Sequence, residues 1–198
     1  MNVNVSSRRR SALAFVVACC VLSTEALAVE QKRFLIFGDR NVTYRIFRDA
    51  SGRFQLEYPT KDWSPFSTGG SAIAILARND RAATVVIDLD RLTEPLTPAE
   101  IERNAQIEVE SVKEKEPKAK DFKSELLDTK AGRASLIRYA RIGATGPERV
   151  MHYSVAVGQD LYRLDAVVSE ESLAKYEPIV MHMLLSFKAP ADPSTSKP

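Results

Sequence analysis

Cysteine is nearly absent from this sequence. The chain has two, Cys19 and Cys20, and both lie in its first 28 residues. If that segment is removed, the remaining chain can form no disulfide and cannot build a zinc site on thiolates. Histidine is equally scarce, with His152 and His182 as its two members. We therefore expect no metal centre and no cofactor.

An excess of charge of either sign is also missing. The chain has 28 basic and 26 acidic residues, and its first 28 residues hold three of the arginines and one of the glutamates, which leaves 25 of each sign. No basic stripe runs through the remainder. This balance argues against nucleic acid as a partner.

A secretory leader is the clearest feature that is present. Residues 8–10 are three arginines, residues 12–22 are an apolar run, and Ala26 and Ala28 supply the small side chains of a cleavage site. The apolar run is too short to cross a membrane, which takes about 20 residues. We expect residues 1–28 to be a signal peptide and the mature chain to be periplasmic or secreted.

Two features of the leader stay open. Residues 16–19 (VVAC) loosely fit a lipobox, in which Cys19 would carry a lipid anchor and become the mature N-terminus of a membrane-anchored lipoprotein. The paired arginines leave open whether export uses the Sec or the twin-arginine route.

Alternating apolar residues predict strands in much of the mature chain. A hairpin is expected around the turn at residues 50–52, and further strands at 72–76, 84–90, 122–127, 134–142, 149–157 and 161–168. Thr97, Pro98 and Glu100 form a capping box that begins a helix, whose apolar stripe consists of Ile101, Ala105, Val109 and Val112.

The strands at 149–157 and 161–168 suit an antiparallel hairpin. With a two-residue turn at Gln159 and Asp160, Val157 faces Tyr162 and every pair on that face is apolar. This register also places Asp165 opposite Ser154.

A second helix is predicted from Ser169, with Pro178 expected to kink or restart it. The composition of residues 189–198 is typical of disorder. The sequence thus predicts one domain at 29–188, of α+β class, with a mostly antiparallel sheet covered by helices.

Three segments of the chain resemble the PsbP-like family. They are residues 54–59 (FQLEYP) followed by Trp63, residues 161–164 (LYRL) after Gly158, and residues 176–178 (YEP) with 184–187 (LLSF). The resemblance implies an α/β/α sandwich, and known members mostly bind or help assemble partners without catalysis. The metal ligands proposed for the plant proteins match no position here, so it implies no metal site.

Few residues are candidates for chemistry. His152, Ser154 and Asp165 could suggest a Ser-His-Asp triad, but the predicted register does not place the histidine between the other two. Asp88 and Asp90 share a strand face without a calcium loop and are expected to be solvated or ion-paired. His182 is expected on a helix face, without carboxylate partners for a metal.

The aromatic residues Tyr58, Trp63 and Phe66 are the candidates for a binding groove. Trp63 is otherwise expected to be a core side chain. From all of this we expect a non-enzymatic envelope protein that binds or helps to assemble an unidentified protein partner. The alternatives are a carrier of a small molecule or metal ion and, more remotely, a hydrolase.

Overall fold

A computed structural model describes residues 33–37, 40–66 and 72–190. The predicted leader, including Cys19, Ala26 and Ala28, lies outside these residues, as does the predicted tail from residue 191 onward. Among the described residues, no helix has both the length and the apolar character that crossing a membrane requires.

The described residues form ten strands and two α-helices. In chain order these are β1 (Arg33–Phe37), β2 (Arg40–Arg48), β3 (Gln55–Pro59), β4 (Trp63–Phe66), β5 (Ala72–Arg78), β6 (Ala83–Arg91), α1 (Pro98–Lys115), β7 (Lys120–Thr129), β8 (Gly132–Gly143), β9 (Gly146–Val157), β10 (Asp160–Ser169) and α2 (Leu173–Leu185).

Two antiparallel sheets organise the chain. The small sheet has the order β1-β2-β3, and the large, seven-stranded sheet has the order β4-β5-β6-β10-β9-β8-β7. The large sheet lies between α1 on one face and α2 with the small sheet on the other. This arrangement confirms the predicted α+β class and the α/β/α layers.

The main core fills the space between the large sheet, α2 and the small sheet. Phe187, directly after α2, stacks on Phe54 at a centroid distance of 5.7 Å and lies 5.0 Å from the ring of Tyr162. Lys188 then pairs with Gln55 through two backbone hydrogen bonds of 2.8 and 2.9 Å. The end of the described chain is therefore tied to the start of β3.

Helix α1 begins where the sequence predicts. The side chain of Thr97 accepts a hydrogen bond from the backbone N–H of Glu100, and the Glu100 carboxylate accepts one from the backbone N–H of Thr97. Only Ala105 of α1 is fully buried. A smaller core of Ile137, Tyr139 and Val150 packs beneath the helix.

The predicted register of the β9–β10 hairpin is wrong by two residues. Val157 pairs with Asp160, and Tyr162 pairs with Val155 instead of Val157. The turn consists of Gly158 and Gln159. Gly158 has φ 62°, the positive value that a type II′ turn needs at its first central residue. A shift of two keeps every side chain on its predicted face, so the apolar pattern alone could not distinguish the two registers.

Helix α2 follows a short 3-10 turn at Glu170–Ser172. It is continuous through Pro178, so the expected restart does not occur. A proline ring removes one backbone hydrogen bond. The buried side chains of Tyr176 and Val180, on either side of Pro178, hold both parts of the helix on the sheet.

Both edges of the large sheet are poorly suited to pairing. Strand β4 is four residues long and contains Pro65, which has no N–H to donate. Strand β7 is interrupted by a bulge between Lys120 and Lys123, where Asp121 has φ 56°. A proline in a short edge strand and a bulge in an edge strand are both typical of sheet edges that resist pairing with another chain.

Candidate functional site

The interface between α1 and the large sheet contains a group of polar and charged side chains. Strands β8, β9 and β10 place a row of polar residues on the face that α1 covers, and α1 contributes one carboxylate to it. We call this group the Glu108 cluster; its members are Glu108, Ser135, His152, Ser154, Arg163 and Asp165.

Glu108 lies at the centre of the cluster, with its side chain 11% exposed. Its carboxylate accepts hydrogen bonds from the hydroxyls of Ser135 and Ser154, at 3.2 and 3.1 Å, and from the amide of Asn104 at 3.3 Å. Arg163 adds a cation, with its Nε 3.6 Å from the Glu108 carboxylate. Burial opposes ionisation of Glu108, but its contacts with His152, Ser154 and Arg163 outweigh burial and lower its pKa.

His152 lies between a serine and an aspartate. Its Nδ1 contacts the carboxylate of Asp165, and its Nε2 is 3.2 Å from the Ser154 hydroxyl and 3.8 Å from Glu108. This corrects the expected geometry, because the observed register pairs Asp165 with His152 directly and Ser154 with Arg163. The order of the three groups is that of a Ser-His-Asp triad.

The protonation of His152 opposes triad chemistry. Burial of the imidazole lowers its pKa, but hydrogen bonds and charges from Asp165 and Glu108 outweigh that effect and raise the pKa to about 9. At neutral pH the ring is therefore an imidazolium, whereas a general base needs a free lone pair on Nε2. The Ser154 hydroxyl donates a hydrogen bond to the Glu108 carboxylate. The cluster thus links α1 to the sheet through charge and hydrogen bonds.

Sequence reasoning missed three members of this site, Glu108, Ser135 and Arg163, and Glu108 is the one with a signal in the sequence. It falls on the same stripe as Ile101 and Ala105, at helical spacings of seven and three residues. A carboxylate on an otherwise apolar stripe is a signal that a partner is needed beneath it.

The half of this sheet face beyond α1 is uncovered by any described helix. Helix α1 packs on β7 and β8, whereas β4, β5, β6 and the outer side of β10 present half-buried or exposed side chains. We call this surface the open strip; it consists of Phe66, Ile75, Thr84, Val86, Asp88 and Asp90, with Asp165 at its border with the Glu108 cluster.

The open strip combines apolar and acidic groups. Ile75 pairs with Val86, and Phe66 beside them is 52% exposed. Asp90 forms an ion pair with Arg163, as expected for one of the two aspartates. Asp88 has no ion pair with any described residue; burial, and then the charges of Asp165 and Asp90, raise its pKa.

The three aromatic candidates lie in different environments. Tyr58 and Trp63 are buried in the main core, at 1% and 3% exposure, and Arg45 lies over the Tyr58 ring at 4.6 Å. Phe66 lies on the other face of the large sheet, in the open strip. A binding role for Tyr58, Trp63 and Phe66 stays a prediction.

His182 has a carboxylate partner that the sequence did not predict. It lies on α2, with its Nε2 3.0 Å from the carboxylate of Glu57 on β3, and its ring is 4.2 Å from the ring of Tyr44. Within the described ranges no group of three histidine, cysteine, aspartate or glutamate side chains could hold a metal ion.

A cavity of about 720 Å³ lies at the opposite side of the molecule from α1. The cavity is open to the surface. It lies between the turn that joins β2 to β3 and the last described residues, and its lining includes Arg48, Asp49, Phe54, Lys188 and Pro190. The carboxylate of Asp49 already forms an ion pair with Arg53, whose Nε donates a hydrogen bond to it at 2.8 Å.

Solved structures share this architecture. The solution structure of PsbP from the cyanobacterium Synechocystis superimposes with a TM-score of 0.59 and 11% identity, over 79% of this chain and 98% of that one. This chain has the PsbP-like fold. The predicted family resemblance is confirmed at the level of the fold, although no protein-family model and no curated protein matches the sequence.

Two further PsbP-like structures come from different settings. The Ran-binding protein Mog1p of Saccharomyces cerevisiae has a TM-score of 0.52 at 11% identity, covering 77% of this chain and 98% of that one. LpqN of Mycobacterium tuberculosis, described as involved in cell envelope biogenesis, has a TM-score of 0.52 at 15% identity, covering 81% and 91%. At such low identity these proteins establish a common fold and no common role.

Proposed function

We propose that this chain is an exported, non-catalytic protein that binds a protein partner through the open strip. The observation that carries the proposal is the uncovered half of the large sheet, where Phe66, Ile75 and Val86 are accessible beside Asp88. An accessible sheet face with apolar side chains and a polar rim is typical of a protein-binding surface.

Three further observations support this function. The protonated His152 and the hydrogen bond from Ser154 to Glu108 favour a structural role for the group of His152, Ser154 and Asp165. The PsbP-like fold includes a Ran-binding protein and a protein of cell envelope biogenesis. The predicted leader favours export, and hence a partner in the periplasm, at the envelope or outside the cell.

A site-specific crosslink tests the proposal. We would replace Phe66 by the photoreactive residue p-benzoylphenylalanine in the full chain, irradiate the producing cells and identify adducts by mass spectrometry. Ile107 on the outer face of α1 is a matched control, since it is apolar and 53% exposed against 52% for Phe66. One recurrent protein captured from Phe66 and not from Ile107 would support the proposal. Equal capture at both positions, or none at Phe66, would contradict it.

A carrier of a small molecule is the second candidate, favoured by the 720 Å³ cavity. Its volume is within the range of ligand pockets, but its lining contains one aromatic side chain, Phe54, and none of Tyr58, Trp63 or Phe66. A ligand that co-purifies with the chain and is lost when Gly52 is replaced by a bulky residue would favour this function over partner binding.

A further inference from the structure

We propose that the partner's contact element is an amphipathic helix with a basic rim, which lies beside α1 on the open strip. This inference rests on the proposed function and specifies the chemistry of the partner. It follows from three properties of the strip: its width, its row of apolar side chains and its charge.

The width of the strip suits one helix. Strands in a sheet are about 4.8 Å apart, so the three intervals from β4 to β10 span about 14 Å. A helix with its side chains is about 10–12 Å in diameter. Helix α1 packs on β7 and β8 at the other side of the same face, so it leaves the strip free for a second helix.

The apolar side chains form a continuous contact line. Phe66 pairs with Ile75, and Ile75 pairs with Val86, so the three lie in one row across β4, β5 and β6. The same row continues through Asp165 and His152 into the Glu108 cluster. The apolar face of a partner helix that packs on this row would remove Phe66, Ile75 and Val86 from contact with water.

The charge of the strip selects a basic partner. Asp88, Asp90 and Asp165 share this face on adjacent strands. Arg163 forms ion pairs with Asp90 and Glu108, and the protonated His152 contacts Asp165. Asp88 lies opposite Arg163 on β10 but forms no ion pair with any described residue. Burial and the charges of Asp165 and Asp90 raise its pKa, and these effects outweigh the opposing charges of Arg163 and His152. Lysine or arginine side chains at the edge of a docked helix would supply the missing counter-charge.

Binding of a model peptide tests this chemistry. The probe is a fluorescein-labelled amphipathic peptide of leucine and lysine, with a leucine–glutamate peptide of the same pattern as its counterpart, both titrated with the full chain in a fluorescence anisotropy assay. We expect the leucine–lysine peptide to bind and the leucine–glutamate peptide not to bind. Asp88→Lys should weaken binding at least about tenfold, since it reverses a charge at the contact.

The matched control is Asp128→Lys, which makes the same change of charge on β7, where the Asp128 side chain is 89% exposed. It should leave binding unchanged. An equal loss in both variants would show attraction to the chain's overall charge and overturn the proposal, as would an unchanged affinity in Asp88→Lys. Val86→Lys should also weaken binding of the leucine–lysine peptide, which tests the contribution of the apolar row.

The two proposals can fail separately. If the Phe66 crosslink captures a partner and Asp88→Lys leaves that capture intact, the partner-binding function stands and the basic helix is wrong. If Phe66 crosslinks to the N-terminal residues of its own chain, the strip is covered from within, and both proposals are wrong.

Discussion

The imidazole of His152 on β9 and the carboxylate of Glu108 on α1 face each other across the helix–sheet interface, with Nε2 and Oε2 3.8 Å apart. Because Glu108 also accepts hydrogen bonds from Ser135 and Ser154, one carboxylate links the helix to two strands. Apolar contacts between α1 and the sheet come from the fully buried Ala105 and from the half-buried Val109 and Val112. The contacts of Glu108 add a polar attachment to these apolar ones.

We expect Glu108→Gln to lower the free energy of unfolding by about 2 kcal/mol, because it leaves the buried imidazolium with one carboxylate partner. Urea denaturation measures the change. Glu110→Gln, on the exposed face of the same helix, is the control and should change the stability by less than about 0.5 kcal/mol. Equal effects of the two substitutions would contradict the role given to Glu108.

The charge of His152 predicts how stability depends on pH. Its pKa is raised from 6.5 to about 9 in the folded chain. A raised pKa stabilises the fold fully below the unfolded value, so this contribution is complete below about pH 6.5 and is lost as the pH rises toward 9. NMR titration of the ring measures the pKa directly. In His152→Gln the decline of stability over this interval should disappear; a decline of the same size would assign it to other groups.

Ester hydrolysis tests the chemistry of Ser154. Because His152 is protonated at neutral pH, we expect the chain and its Ser154→Ala variant to hydrolyse p-nitrophenyl acetate at pH 7 at the same rate. A clear drop in the variant would favour the hydrolase alternative.

The turn at Gly158 predicts a local backbone effect. Gly158→Ala should destabilise the chain by about 1 kcal/mol, because alanine is strained at the observed φ of 62°. Thermal unfolding measures this change, and Gln159→Ala in the same turn should have little effect. If Gly158→Ala is neutral, the turn does not have the conformation described.

Processing of the leader separates its two interpretations. Ala28→Phe should block release of the mature chain if a signal peptidase cleaves after Ala28. The measurement is the molecular mass of the exported product. Unchanged processing would favour acylation at Cys19, and Cys19→Ser should then abolish membrane association.

The sequence predicted the elements of the fold better than their contacts. The capping box of Thr97 and Glu100 is local in the chain, so it marked the start of α1 correctly. The β9–β10 register depends on the backbone of Gly158. Because the alternation of side chains repeats every two residues, the sequence pattern could not distinguish this register from one shifted by two.

The candidate site was less accessible to sequence reasoning. His152, Ser154 and Asp165 were recognised, but their order depends on that same register. Glu108 is separated from Ser154 by 46 residues, and only the packing of α1 brings the two together. The open strip depends on which strands α1 leaves uncovered, and no local pattern contains that information.

The protected edges of the large sheet have a consequence for the assembly of many copies. Pro65 in β4 and the bulge at Asp121 in β7 interrupt the rows of backbone donors and acceptors that another strand would need. A second copy could therefore not add a regular strand alongside Pro65 or Asp121. Such interruptions oppose the edge-to-edge growth of fibres, while they leave the face of the sheet unaffected.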